Sequence, residues 1–343
     1  MFDANAPFIA LAAFIAAGIA ITLAGTKMSG VADKLADRTG LGEAIVGAVL
    51  LGVTTSLAGS VTSVTAALGG HASLAVSNAI GGIAAQTVFL AAADLVYRRS
   101  NLEHAGASEP HLVQAGVLII LLTLPAIAMV TPEVSLLAIH PISLLLIAVY
   151  IFGLQLSHAA RVAPMWKPTK TDETREDIPD APEADDPSLG GLGLVFLGLM
   201  VVVGVAGWVI AEAAVPLAQA SGLSQSVVGS LFTAIATSMP ELVTTLAAVR
   251  RGALQLAIGG IIGGNTFDVL FLVASDTAYQ GGSIYHAVGP AELFMLLSAI
   301  LMTSILLLGL IRRERYGFAK IGFESSAILV VFFASVAINA FAG

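Results

Sequence analysis

The chain has 343 residues, 57% of them hydrophobic and 11% charged, a balance that excludes an ordinary soluble domain and makes lipid its main solvent. It has no cysteine, which removes disulfides, thiolate metal sites and thiol nucleophiles. The net charge of -8 does not imply an acidic partner surface, because eight of the acids lie in the single stretch from Asp172 to Asp186.

A helix needs roughly 20 apolar residues to cross the hydrocarbon core of a bilayer. The first such segment, Pro7–Gly25, follows Asp3 and no basic flank, so it reads as a retained span and not as a secretory signal. Leu41–Ala67, Ser73–Tyr97, Val113–Val130 and Val134–Leu156 complete a set of five. Between Ala163 and Ser188 five prolines stand among the acids, a composition that predicts a disordered tether. A second set follows as Leu189–Ile210, Ser224–Val249, Ala253–Ser275, Gly289–Ile311 and Ile321–Ala342. Backbone groups in lipid have to be satisfied within the segment, and barrel strands would be half this length, so every span is predicted to be helical. The expected architecture is an all-α membrane protein of ten transmembrane helices. It has a five-helix unit over residues 1–160, an acidic Pro-rich linker over 161–188 and a second five-helix unit over 189–343.

All fifteen Lys and Arg residues fall after odd-numbered spans: Lys27, Lys34 and Arg38; Arg98 and Arg99; Arg161, Lys167, Lys170 and Arg175; Arg250 and Arg251; Arg312, Arg313, Arg315 and Lys320. Cytoplasmic loops retain positive charge, so these loops and the linker are expected on the cytoplasmic side and both termini outside it. The expected location is the plasma (inner) membrane.

Sliding the chain against itself by 182 positions aligns Glu43–Asp94 with Gln225–Asp276 without a gap, at about a third identity. Thr55-Ser56 falls on Thr237-Ser238, Ile80-Gly81-Gly82 on Ile262-Gly263-Gly264, and Asp94 on Asp276. Five spans separate the copies, an odd number, so the second runs through the membrane inverted. That is the plan of many secondary transporters, whose substrate site lies near the midplane where interrupted helices of both repeats meet.

In the second copy Thr237-Ser238-Met239-Pro240-Glu241 lies in mid-span, where proline removes a backbone donor and frees carbonyls beside two hydroxyls and a carboxylate. The next span carries Gly263-Gly264-Asn265-Thr266-Phe267-Asp268, with Asn265 and Asp268 on one face. Hard cations prefer such oxygens. Ionisable residues inside a membrane helix are costly, which makes Glu241 and Asp268 functional candidates and metal ligands.

The pattern T-S-M-P-E-L, followed in the next helix by A-I-G-G-I-I-G-G-N-T-F-D, resembles the α-repeat of the calcium/cation antiporter superfamily, to which the Na⁺/Ca²⁺ exchangers belong. The resemblance implies the sodium/calcium exchanger fold and exchange of Ca²⁺ for Na⁺ or H⁺ by alternating access. Thr237, Ser238, Glu241 and Asp268 match the family's ion-binding positions. Asn265 and, from the first copy, Thr55, Ser56, Asn78 and Gln86 complete the expected cation-binding set. The first copy departs from the pattern: Ala58 and Gly59 replace the family's proline and glutamate, and Gln86 is the polar position after Gly81-Gly82-Ile83. With two carboxylates in place of three, the expectation is a weaker calcium site or a shift towards a monovalent ion or proton, so a monovalent cation/H⁺ antiporter is the alternative.

Asp94 and Asp276, at span ends, are expected to snorkel to the interface. A serine nucleophile at Ser60 or Ser238 would lack a histidine base in the repeat cores, so no enzymatic activity is expected. The partners expected are inorganic cations and the lipid bilayer, with no nucleic acid and no cofactor.

Overall fold

The computed structural model describes residues 7–39, 47–134, 139–175, 188–317 and 321–342. Its first half contains α1 (Pro7–Thr39), α2 (Gly47–Leu68), α3 (Ala72–Val96), a short α4 (Leu102–Gly106), α5 (Glu109–Val130) and α6 (Pro141–Val162). After α7 (Leu189–Ser221), the next span is divided into α8 (Gln225–Val227), a π-helical turn (Val228–Thr233), α9 (Ala234–Thr237) and α10 (Met239–Arg251). The following span is interrupted at Val269 between α11 (Leu254–Asp268) and α12 (Leu270–Ala278), and α13 (Pro290–Arg312) and α14 (Phe323–Ala342) close the chain.

Among the described residues eight helical stretches are long and apolar enough to cross a bilayer, and the bent α8–α10 segment makes a ninth. The 22-residue α2 stands in the place of the remaining expected span. Several boundaries differ from expectation, the end of α1 at Thr39 instead of Gly25 among them, and two have a clear local cause. The fifth span begins at Pro141, not Val134, because His140 caps the helix, its side chain accepting from the Ile142 N–H, and proline is preorganised for the first helical position. α7 continues past Ile210 to Ser221 and stops where Gly222 turns left-handed, with φ 71°.

The interior is built on α3 and α11–α12, whose apolar windows are 72% and 61% buried, against 28% for α1 and α7 and 22% for α6. Phe8, Leu194, Val201 and Val330 project from the outer helices with most of their surface exposed, an apolar exterior suited to lipid.

The 182-residue offset reappears as geometry. Gly70 and Gly252, equivalent by the offset, take φ of 78° and 85° in the turns after α2 and α10, a backbone state that favours glycine. Gly25 of α1 and Gly207 of α7 are also equivalent. A Cβ on Gly25 would lie 2.5 Å from Pro240 Cγ, and one on Gly207 2.6 Å from the Ala58 carbonyl oxygen. The two peripheral helices thus rest directly on the mid-span positions where the repeats carry Ala58-Gly59 and Pro240-Glu241.

Asp94 and Asp276 do not snorkel; both are fully buried. Asp94 Oδ1 accepts from the Leu102 N–H (2.7 Å), and Oδ2 from the Gly322 N–H and Ser325 Oγ (both 3.0 Å). Asp276 accepts from the Ile284 N–H (3.1 Å), the His140 N–H (2.8 Å) and Ser143 Oγ (2.7 Å). Leu102, Gly322 and Ser325 correspond through the offset to Ile284, His140 and Ser143. The expectation failed because backbone and hydroxyl donors arriving from distant segments satisfy each carboxylate, which removes the drive towards water.

The composition predicted a disordered tether, yet residues 169–175 are seated on the bundle. Arg313 donates to the Thr169 carbonyl (2.7 Å) and to Thr174 Oγ1, the Arg175 N–H donates to the Ala105 carbonyl, and Arg315 pairs with Glu173 at 2.5 Å. Basic residues at the helix ends supply partners that a composition argument on the linker alone does not contain. Residues 176–187 lie outside the described residues.

Candidate cation site

The span that carries Glu241 breaks for a local reason. Pro240 offers no N–H to the turn before it, Ser238 sits at φ -96° and ψ 8° between α9 and α10, and the two halves meet at a 48° bend. Glu241 thereby falls in the first turn of α10, where the helix dipole favours a negative charge. Asp268 is the last residue of α11, beside the second interruption. Both carboxylates therefore project from helix ends inside the bundle, 5% and 2% exposed.

Groups from the inverted copy meet them. Ser56 Oγ donates to Asp268 Oδ1 at 2.5 Å, and Gln86 Nε2 donates to Asp268 Oδ2 at 2.6 Å and lies 3.4 Å from Ser238 Oγ. The Thr55 hydroxyl is hydrogen-bonded to the Glu241 carboxylate. Position 86 is the repeat equivalent of 268, and 56 that of 238, so the site straddles the pseudo-twofold axis. Gly82 and Gly264, another equivalent pair, make the approach possible. A Cβ on Gly82 would face Ser238 Oγ at 3.5 Å and Asp268 Oδ2 at 3.8 Å, and one on Gly264 would lie 3.2 Å from Gln86 Oε1.

Three buried oxygens of this cluster, Glu241 Oε2, Gln86 Oε1 and Asn265 Oδ1, receive no hydrogen bond. All three are acceptors, and a hard cation is the group that such a set of carboxylate and amide oxygens fits.

The remaining expected residues surround this core without converging on it equally. The Asn265 amide donates to Thr87 Oγ1 (3.1 Å). The Thr237 hydroxyl turns back onto the Thr233 and Ala234 carbonyls (2.9 and 3.2 Å). Asn78 is a brace: Nδ2 donates to the Gly59 carbonyl (3.2 Å) and Ser63 Oγ (2.9 Å), while Oδ1 accepts from Thr233 Oγ1 (2.7 Å) in the π-helical turn. Thr87, Ser63 and Thr233 are contributors the sequence reading did not name. Thr233 precedes Thr237 by one helical turn, which was the available signal. No group of three or more His, Cys, Asp and Glu residues able to hold a metal occurs among the described residues, where the acids of this cluster are Glu241 and Asp268.

The family model described as Sodium/calcium exchanger protein matches residues 9–157 and 190–341. The chain belongs to the sodium/calcium exchanger protein family. The chain is 28% identical over 285 residues to the inner membrane protein YrbG of Escherichia coli (strain K12), covering 80% of this chain and 82% of that one. The exchanger fold extends to solved structures. The crystal structure of the H⁺/Ca²⁺ exchanger CAX superposes with a TM-score of 0.67 at 14% identity, over 97% of this chain and 86% of that one. The sodium-calcium exchanger NCX_Mj gives 0.62 at 17% identity, over 96% and 99%. The chain is an integral membrane protein with this family's helical architecture.

Proposed function

We propose that this family member is a secondary-active antiporter that exchanges Ca²⁺ for Na⁺ or H⁺ at a site centred on Glu241 and Asp268. The observation that carries the reading is the meeting of these two buried acids with Ser56 and Gln86 of the inverted copy, in a cluster where three acceptor oxygens, on Glu241, Gln86 and Asn265, have no donor. Membership of the exchanger family and the fold shared with an H⁺/Ca²⁺ exchanger and a sodium-calcium exchanger support it.

In this reading Glu241 and Asp268 neutralise the entering ion, while Ser56, Gln86 and Thr55 hold the carboxylates in place. The ion replaces their present donors with its own charge. The 48° bend and the π-helical turn are where one half of the site moves against the other as access alternates. The location assigned is the inner membrane, with both termini on the non-cytoplasmic side, as the distribution of Lys and Arg supports.

One observation favours the second reading, a monovalent cation/H⁺ antiporter: the repeat position equivalent to Glu241 is Gly59, and Gln86 stands opposite Asp268. Calcium uptake into proteoliposomes under an imposed Na⁺ gradient or an imposed pH gradient tests the proposal. Uptake driven by either gradient supports calcium exchange. Na⁺/H⁺ exchange with no calcium movement selects the second reading.

A further inference from the structure

The repeat offset supplies an internal control at the two ends of the bundle. Asp94 and Asp276 make equivalent hydrogen bonds to equivalent positions, yet the residues beside the two clamps differ. Near Asp276 stand Tyr285 and Ile142, and the Tyr285 hydroxyl lies 2.8 Å from Ser143 Oγ. The equivalent residues near Asp94 are Glu103 and Glu324, 1% and 0% exposed. The clamp itself needs no additional acid, since its twin is built without one.

Glu103 Oε2 and both carboxylate oxygens of Glu324 accept no hydrogen bond from a donor, while the two carboxyl groups lie within hydrogen-bonding reach of one another. The groups that face them are charged or already committed. Asp94 is served by three donors, and Glu314 lies 3.6 Å from Arg312. His104 bonds the Arg313 carbonyl and Thr171 Oγ1. The Arg313 guanidinium donates to the His104 and Thr169 carbonyls, and Arg315 pairs with Glu173. Among the described residues no cation pairs with either carboxylate, and two adjacent buried carboxylates so placed cannot both ionise.

We propose that Glu103 and Glu324 form a proton-binding site, one proton shared between the two carboxyl groups, which ties α4 to the start of α14 at the Arg-rich end of the bundle. Burial first, then the charges of Asp94 and Glu324, hold the Glu103 carboxyl well above the usual carboxylate range. The site reaches the transport machinery through packing: a Cβ on Gly106 of α4 would lie 2.8 Å from Leu254 Cβ, in the first turn of the helix that ends at Asp268. Because the folded-state value lies above the unfolded one, the stabilisation is complete below the unfolded carboxylate range and is lost as pH rises through the folded value.

The test is thermal unfolding of the purified full chain against pH, for the parent, E103Q, E324Q and E103Q/E324Q. Loss of one proton lowers the parent's folded-to-unfolded ratio by up to tenfold per pH unit. The double variant is expected to lack that slope and to exceed the parent at alkaline pH. Parallel curves overturn the proposal. So does stabilisation by added Na⁺ or Ca²⁺ at fixed pH that disappears in the double variant, which would assign the pair to a metal ion. Should the double variant not fold, infrared difference spectra of E241Q/D268N decide. A protonated-carboxyl band that titrates and is lost on adding E324Q supports the site, and its absence refutes it.

Discussion

The ring of Phe271 lies where a side chain at position 59 would have to go: a Cβ built on Gly59 comes 2.7 Å from Phe271 Cε2. Position 59 is the repeat equivalent of Glu241, so an aromatic edge from α12 occupies the space beside the place where symmetry would put a second glutamate. The Phe271 ring is itself held by an edge-on contact with Phe267, centroids 6.3 Å apart. An alanine in place of a helical glycine ordinarily stabilises by about 1 kcal/mol. At Gly59 the sign should reverse, with G59A costing about 1–3 kcal/mol through overpacking and F271L restoring it, read by thermal unfolding of the singles and the double. The same geometry predicts that G59E folds poorly alone. G59E/F271A is the combination expected to raise selectivity for divalent over monovalent cations in flux assays.

Gln86 faces Asp268 with a donor at 2.6 Å, an arrangement that holds the carboxylate without a metal. Q86E replaces that donor with a third acid beside Asp268 and Glu241. The variant is expected to be less stable than the parent in chelator and to regain stability when Ca²⁺ is added, a dependence larger than the parent's when both are unfolded with and without the ion.

Gly81 and Gly82 are neighbours with opposite surroundings. A Cβ on Gly81 would collide with the backbone of Ser230 in the π-helical turn, whereas one on Gly82 would meet only Ser238 Oγ and Asp268 Oδ2 at ordinary distances. G81A should therefore abolish the folded, monodisperse protein. G82A should fold and change ion affinity, as measured by concentration-dependent flux.

Asp276 fastens the start of α6 and the loop before α13 through charge-assisted hydrogen bonds worth about 1.5–3 kcal/mol each. D276N is expected to lower stability by at least about 2 kcal/mol while leaving ion selectivity unchanged, since none of its partners reaches Glu241 or Asp268. A changed selectivity at unchanged stability would show that the clamp is part of the ion pathway.

The helical order was legible because lipid forces backbone satisfaction within each span, and the two carboxylates were legible because charge is so costly there. Gln86 was visible as a polar position, though not as the partner of the residue equivalent to it. The roles of Asp94 and Asp276 were hidden, because their donors at 102, 322 and 325, and at 140, 143 and 284, lie outside the segment where the two copies align. The seating of residues 169–175 was hidden for a similar reason: Arg313, which holds them, belongs to a different helix end. Phe271 read as one more apolar residue, and only the side-chain packing sets it against Gly59.

The claim that Glu241 and Asp268 bind the transported cation is tested most directly by ion flux through purified protein in liposomes, parent beside E241Q, with folding checked by unfolding temperature. A gradient-driven cation flux that E241Q abolishes while remaining folded is the result predicted. A folded E241Q protein that transports at the parent rate would contradict it.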